Sequence, residues 1–402
     1  MSWPLIRLKS PFAVLRGRRG AVLVFVAVAL VPLLGITGLA MDGARAYIAR
    51  ANLSRALDAG ALAAARVIRA GQDAAAAEAY AIAAANGVVQ GANGTSLSLS
   101  FGTTEDGETT VAMSGTIPVP TLFMRVLGYD EVTVASVAEA TVPPIDLVLV
   151  VDRSGSLADQ GAWGPLQQAV RNFIRLFDED IDQMGMTSFQ VRAENTVLLQ
   201  GAFQGVMTSA ISSMNSAGDT NTGEGLRLAF EQFHLPAVRE NAAQVVVFFT
   251  DGRPTAFRGE IEGQDRVIAV RPPESGLIRG YFNSPDNLPM DELVTPSGCA
   301  YVPQCFGWTE FPVRTEAKDR GVQMANEIRA AGITIYSIGL GNPAATEPIL
   351  VPDMDYLRLL ANVEGVSHPG QPKGQAYFAP SPSELEQVFR NVAEDLLVRL
   401  SR

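Results

Sequence analysis

Hydrophobic and polar positions divide the chain into three stretches of different period. Ala21–Met41 is uncharged and almost wholly apolar, and about 20 such residues suffice to cross a bilayer as a helix. Residues 42–66 are Ala-rich and helix-prone, with Ile48, Leu53, Leu57 and Leu62 expected on one face. A second Ala-rich helix is expected over 72–86, and Gly91–Gly94 breaks the pattern. Alternation then takes over: Ser96–Phe101, Glu108–Pro118 and Val132–Val142 read as strands of a small antiparallel sheet, with Glu105–Glu108 as a hairpin turn.

Beyond the stiff linker Thr141–Pro144 the pattern changes again. Ile145–Val151, Gln244–Phe249 and Ile333–Gly339 are short apolar runs rich in β-branched residues, as in strands buried on both faces. Met186–Val191 and Thr196–Gly201 read as an antiparallel pair, and Ala376–Ala379 as a last strand. Helices are expected at Pro165–Phe177, Val206–Met214, Glu224–Phe233, Arg314–Ala331, Asp355–Val363 and Pro382–Leu400, the last capped by Ser381 or Ser383. Strands that alternate with helices predict an α/β fold with a mostly parallel central sheet flanked by helices. The expected organisation is a basic tail (1–20), a transmembrane helix (21–41), a small α+β module of helix and antiparallel strands (42–142), and an α/β domain (143–402). That domain carries an insertion at about 253–313, rich in Pro and Gly, which leaves from the end of a buried strand and is expected to shape partner choice.

Charge orients the chain. Arg7, Lys9, Arg16, Arg18 and Arg19 precede the apolar run with no acidic residue among them, so the N-terminus is expected in the cytoplasm and the bulk of the chain outside it. No small-residue site closes the run as in a cleaved signal peptide. A pilin-like cut after Gly20 would leave Phe25 where type IV pilins carry Glu. The formal charge of −11 and pI near 4.8 argue against nucleic acid as a partner. With two His and two Cys, ligands for zinc are scarce. Cys299 and Cys305 would close a small disulfide loop if exported, and would be buried thiols if cytosolic.

Candidate chemistry sits at the carboxyl ends of the apolar strands, where open α/β sheets bind ligands. Asp152-Arg153-Ser154-Gly155-Ser156 follows the first, and Thr250-Asp251-Gly252 follows the second. Gly218–Gly223 lies between them as a turn-rich loop containing Thr220. These three motifs, in this order, resemble the von Willebrand factor type A domain with its metal-ion-dependent adhesion site. The resemblance puts Asp152, Ser154, Ser156, Thr220 and Asp251 in that site, and implies a Rossmann-like sheet. Two carboxylates and three hydroxyls suit Mg²⁺, with Mn²⁺ as a second candidate, and leave a position that a partner carboxylate would fill.

The N-terminal stretch also resembles a family. Arg-Arg-Gly before an apolar run, then Gly-Leu-Ala-Met-Asp and Ala-Leu-Asp-Ala-Gly-Ala-Leu, looks like TadG-like proteins of the bacterial Tad (Flp) pilus assembly system. Together the two resemblances imply a membrane-anchored, metal-dependent binding protein of the inner membrane and periplasm, with a protein partner from pilus assembly or the cell surface. A structural envelope or pilus scaffold whose metal only stabilises the fold is the alternative. An enzyme is not expected: there is no Gly-x-Ser-x-Gly elbow, and neither His234 nor His368 is tied by sequence to Ser154 or Ser156.

Overall fold

The computed structural model describes residues 18–104, 107–261, 264–270, 278–282, 312–341 and 353–399. The chain divides into two compact units. One comprises residues up to Ala64 with Ala75–Ser100 and Val111–Ala140; the other comprises Ala65–Ala74, Phe101–Thr110 and Thr141–Arg402.

In the first unit, helix α1 (Arg18–Val67) runs for 50 residues without interruption. At 1.5 Å per residue that is about 75 Å, far more than the apolar core of a bilayer, so the helix continues past the apolar run as expected. Pro32 is accommodated inside it. Its later half packs beside α2 (Gln72–Ala85) and the three-stranded sheet β1 (Ser96–Thr103), β2 (Thr109–Pro120) and β3 (Glu131–Val142), in the order β1-β2-β3.

The buried stripe of α1 is Leu53, Ala56, Leu57, Ala61 and Ala64, whereas Ile48 and Leu62 are exposed. Steps of five residues carry a side chain about 140° around a helix, so Ile48 and Leu62 leave the face that steps of three and four maintain. Small residues dominate because the packing is close. A Cβ-borne group added at Gly60 would start 2.6 Å from Met113 Sδ of β2 and 3.0 Å from the Ala79 carbonyl oxygen of α2.

The second unit is built on a six-stranded sheet. Its strands are β4 (Ile145–Asp152), β5 (Gln183–Phe189), β6 (Ala193–Gln200), β7 (Ala243–Thr250), β11 (Thr334–Leu340) and β12 (Ala376–Ala379), in the order β12-β11-β7-β4-β5-β6. All neighbours are parallel except β5 and β6. Between β7 and β11, strands β8 (Ala256–Ile261), β9 (Gln264–Val270) and β10 (Ile278–Phe282) form a separate antiparallel sheet.

The helices are α3 (Gly155–Asp159), α4 (Trp163–Ile174), α5 (Phe203–Ser213), α6 (Thr222–Gln232), α7 (Pro312–Ala330), α8 (Met354–Ala361) and α9 (Leu385–Arg399). Ser381 stands at the N-cap of the short turn before α9, but its hydroxyl bonds the Ser383 and Glu384 side chains instead of a backbone N–H.

Strand β4 shows why its sequence is apolar at nearly every position. Ile145, Leu147, Leu149 and Val151 face one layer with Leu166 and Phe173 of α4 and Phe389 of α9. Val148 and Val150 face the other with Leu226 of α6, Ile328 of α7 and Leu360 of α8. Each fully buried aliphatic side chain contributes roughly 1.5–3 kcal/mol. The exception is Asp146, wholly buried, whose carboxylate accepts from the Arg239 backbone N–H and guanidinium Nε, both at 2.9 Å. Arg69 and Asp182 form a second buried pair within this unit, with Nε 3.0 Å from Oδ2.

Candidate metal centre

Parallel strands deliver their carboxyl ends to one edge of the sheet, and the motif residues meet there. β4 ends at Asp152, which is fully buried. Its Oδ1 accepts from the Ser154 backbone N–H at 2.8 Å, which folds the loop back on the carboxylate. Its Oδ2 accepts from the Thr250 hydroxyl at 2.5 Å, so the last residue of β7 holds the end of β4. Ser154 and Ser156 lie with their hydroxyl oxygens 3.1 Å apart. Both donate to Asp251 Oδ1, Ser156 at 2.9 Å and Ser154 at 3.5 Å. Four of the five expected residues therefore form one hydrogen-bonded cluster.

The fifth, Thr220, comes from the loop before α6. Gly218 starts that loop with φ of +84°, a left-handed conformation that glycine adopts without strain. The Gly155 N–H donates to the Gly218 carbonyl at 3.0 Å, and the Ala217 N–H to the Arg153 carbonyl at 2.8 Å, so the loop is laced to the Asp152 motif. Asn221 then caps α6 by accepting from the Glu224 N–H. Thr220 is buried, and its hydroxyl oxygen lies 4.0 Å from where a Cβ on Gly252 would stand, next to Asp251. Thr220 makes no direct hydrogen bond to the cluster; its main chain pairs instead with Thr255 and Ala256.

Two residues join the site that sequence reading missed. Thr250 is one. Gln160 is the other: its Nε2 donates to Asp251 Oδ2 at 3.0 Å. It stands four residues after Ser156, one helical turn away, which is the signal that could have found it.

Burial decides the electrostatics. Desolvation pushes the Asp152 carboxyl up to about 6. Asp251 rises further, to about 8, first through burial and then through the charge of Asp152 beside it. Two buried carboxylates are thus short of positive charge, while hydroxyl oxygens converge on them. Among the described residues no group of three or more His, Cys, Asp and Glu that could hold a metal ion is found; the five motif residues, two Asp with two Ser and one Thr, make a donor set that is hard, oxygen-only and modest in charge. That set fits Mg²⁺ or Mn²⁺ better than a soft metal. Cys299 and Cys305 lie outside the described residues.

Comparison with known families follows this geometry. Residues 146–270 match the von Willebrand factor type A domain. The second unit contains a von Willebrand factor type A domain. Residues 20–67 match the family described as "Putative Flp pilus-assembly TadE/G-like".

None of the curated proteins matches the chain. Among solved structures, the von Willebrand domain of the type V pili tip protein Mfa5 from Porphyromonas gingivalis aligns at 14% identity and TM-score 0.45, over 65% of this chain and 98% of that one. The minor pilin PilB from Streptococcus sanguinis aligns at 15% and 0.43, over 77% and 80%. Proximal thread matrix protein 1 from the mussel byssus, with zinc in its adhesion-site motif, aligns at 16% and 0.38, over 64% and 46%. The chain thus spans less than half the length of the byssus protein.

Proposed function

We propose that the chain is a single-pass, membrane-anchored protein-binding component of Tad (Flp) pilus assembly or surface attachment. Its von Willebrand-type domain would engage a partner carboxylate through a divalent cation, Mg²⁺ or Mn²⁺, held by Asp152, Ser154, Ser156, Thr220 and Asp251. The observation that carries this reading is the cluster in which Ser154 and Ser156 from one loop meet Asp251 from another, beside buried Asp152. A bound cation would supply positive charge to two carboxylates that burial otherwise penalises, and a coordination position for an incoming oxygen. Gln160 and Thr250 would orient Asp251 and Asp152 from behind. The basic flank and apolar run support insertion in the bacterial inner membrane, with the N-terminus cytoplasmic and the second unit periplasmic.

The same buried carboxylate pair also suits the scaffold reading, in which the metal only stabilises the fold. One experiment separates the two. The detergent-purified full chain is melted with Mg²⁺ and with chelator, and then used to capture proteins from a sheared pilus and envelope fraction; Asp152→Ala is run beside it. A metal-dependent rise in Tm, together with chelator-sensitive capture that Asp152→Ala loses while remaining folded, is the expected result. A metal-dependent Tm with capture unchanged in the mutant would make the scaffold the correct reading. No metal effect on the wild-type protein would defeat both.

A further inference from the structure

The loop between β2 and β3 is polar neither in sequence nor in structure. Leu122 is 58% exposed, Phe123 45%, Val126 86% and Leu127 66%, and Tyr129 follows them to the surface. Exposed loops of soluble proteins seldom line up so many large apolar side chains without a partner surface. This one is also firmly built. The Thr121 N–H donates to the Asp130 carbonyl at 3.0 Å and closes the base of the loop. Met124–Leu127 forms a 3₁₀ turn, ended by Gly128 with φ of +93°. Its two charges, Arg125 and Asp130, pair with each other at 3.0 Å and cancel.

The loop is clamped to one level of α1. Asp42, the first charged residue after the apolar run, is buried. Its carboxylate accepts three backbone N–H groups, from Leu122, Phe123 and Met124, each at 2.8 Å. One turn earlier Gly38 is buried under Phe123: a Cβ there would stand 2.6 Å from both Cβ and Cγ of that side chain. Gly38 and Asp42 bracket the end of the apolar run. The apolar loop is therefore fixed beside the point where the apolar run of α1 ends.

We infer that the 121–129 loop is a second membrane contact, inserting Leu122, Phe123, Val126 and Leu127 into the interface of the leaflet from which α1 emerges, with Tyr129 at headgroup level. This rests on the membrane-spanning reading of residues 21–41. The occupant of the apolar surface is the lipid itself. Continuity with the span places lipid there, and the cancelled charge of the Arg125–Asp130 pair leaves burial of apolar area as the driving force, without a requirement for anionic lipid. Aromatic and aliphatic side chains at this depth would set the height and tilt of the helix more firmly than a single span does.

The test is tryptophan quenching by brominated lipid in proteoliposomes of the full chain, with the change shown by the native protein subtracted. Val126→Trp and Leu127→Trp probe the loop. Val137→Trp probes an exposed site on β3 of the same unit, and Val31→Trp the middle of the apolar run. With bromines near the headgroup, the loop tryptophans are expected to lose most of their emission while Val137→Trp keeps its own. With bromines deep in the acyl chains, Val31→Trp is expected to be quenched. If Val31→Trp is quenched and both loop variants behave like Val137→Trp, the inference is overturned and the anchor stands. If Val31→Trp is not quenched, the spanning reading itself fails. Blue-shifted loop emission that bromolipid does not quench would mean that a protein surface covers the loop, and also overturns the inference.

Discussion

The two carboxylates of the candidate metal centre make a prediction at the scale of single residues. Burial raises both above the ordinary carboxylate range, Asp251 to about 8. The folded state then holds protons that the unfolded state releases near pH 4. Without metal, stability is therefore greatest at the acid end and falls as pH rises through about 6 and about 8. A divalent cation bound as proposed would do the work of those protons. Thermal unfolding of the full chain in detergent and chelator should show Tm falling from about pH 5 to pH 8.5, and saturating Mg²⁺ should flatten that slope. Asp251→Asn, a neutral group of the same shape, should flatten it in chelator as well. A Tm that is level or rises across this window in chelator would show that the pair is not short of positive charge.

At the scale of elements, Asp42 joins a helix to a loop by three charge-assisted hydrogen bonds. Asp42→Ala should free the 121–129 loop and accelerate amide exchange at Leu122, Phe123 and Met124 about a hundredfold while leaving β2 protected. Unchanged exchange would mean that the loop is held by its own turns alone. Nothing in the sequence announces this clamp, because its partners lie about 80 residues apart and backbone donors carry no residue signature.

The legible elements are those with a local cause. Apolar runs ended by Asp or Thr-Asp located β4 and β7, and the three loop motifs are legible because each loop's chemistry is written in consecutive residues; the sheet edge brings those loops together. Ile48 and Leu62 were misplaced because the true stripe of α1 is made largely of alanine, whose small side chain hides the helical period. Strands β8, β9 and β10 were missed because charged residues interrupt them and they pair with one another outside the main sheet. Gln160 and Thr250 escaped because their role depends on which strand lies beside which.

The root of the insertion is tied to the loop that carries Thr220. Thr255 and Ala256 donate backbone N–H groups to the Thr220 carbonyl, at 2.9 and 3.1 Å. Arg258 reaches back to Glu224 of α6 at 3.0 Å, and Phe257 is buried beneath Arg320. A deletion meant to test the insertion's part in partner choice should therefore begin after β10, since one starting at Arg258 would also loosen the loop that presents Thr220.

For the whole molecule the decisive quantity is the asymmetry of charge about the apolar run. Five basic residues and no acidic one precede it, while the chain as a whole carries −11. Moving the basic flank across a bilayer is costly, so under the proposed membrane insertion the tail is expected inside and the second unit outside. Membrane potential, negative inside, acts in the same sense on the basic tail. A protease added to spheroplasts of an expressing bacterium should then digest the second unit and leave an N-terminal tag intact; detergent should expose the tag. Replacing Arg16, Arg18 and Arg19 by Glu should shift part of the population to the opposite orientation, seen as a protease-sensitive tag and a protected second unit. A second unit protected in the wild-type protein would place the metal centre in the cytoplasm. It could not then meet a surface partner, and Cys299 and Cys305 would be expected as thiols rather than as a disulfide.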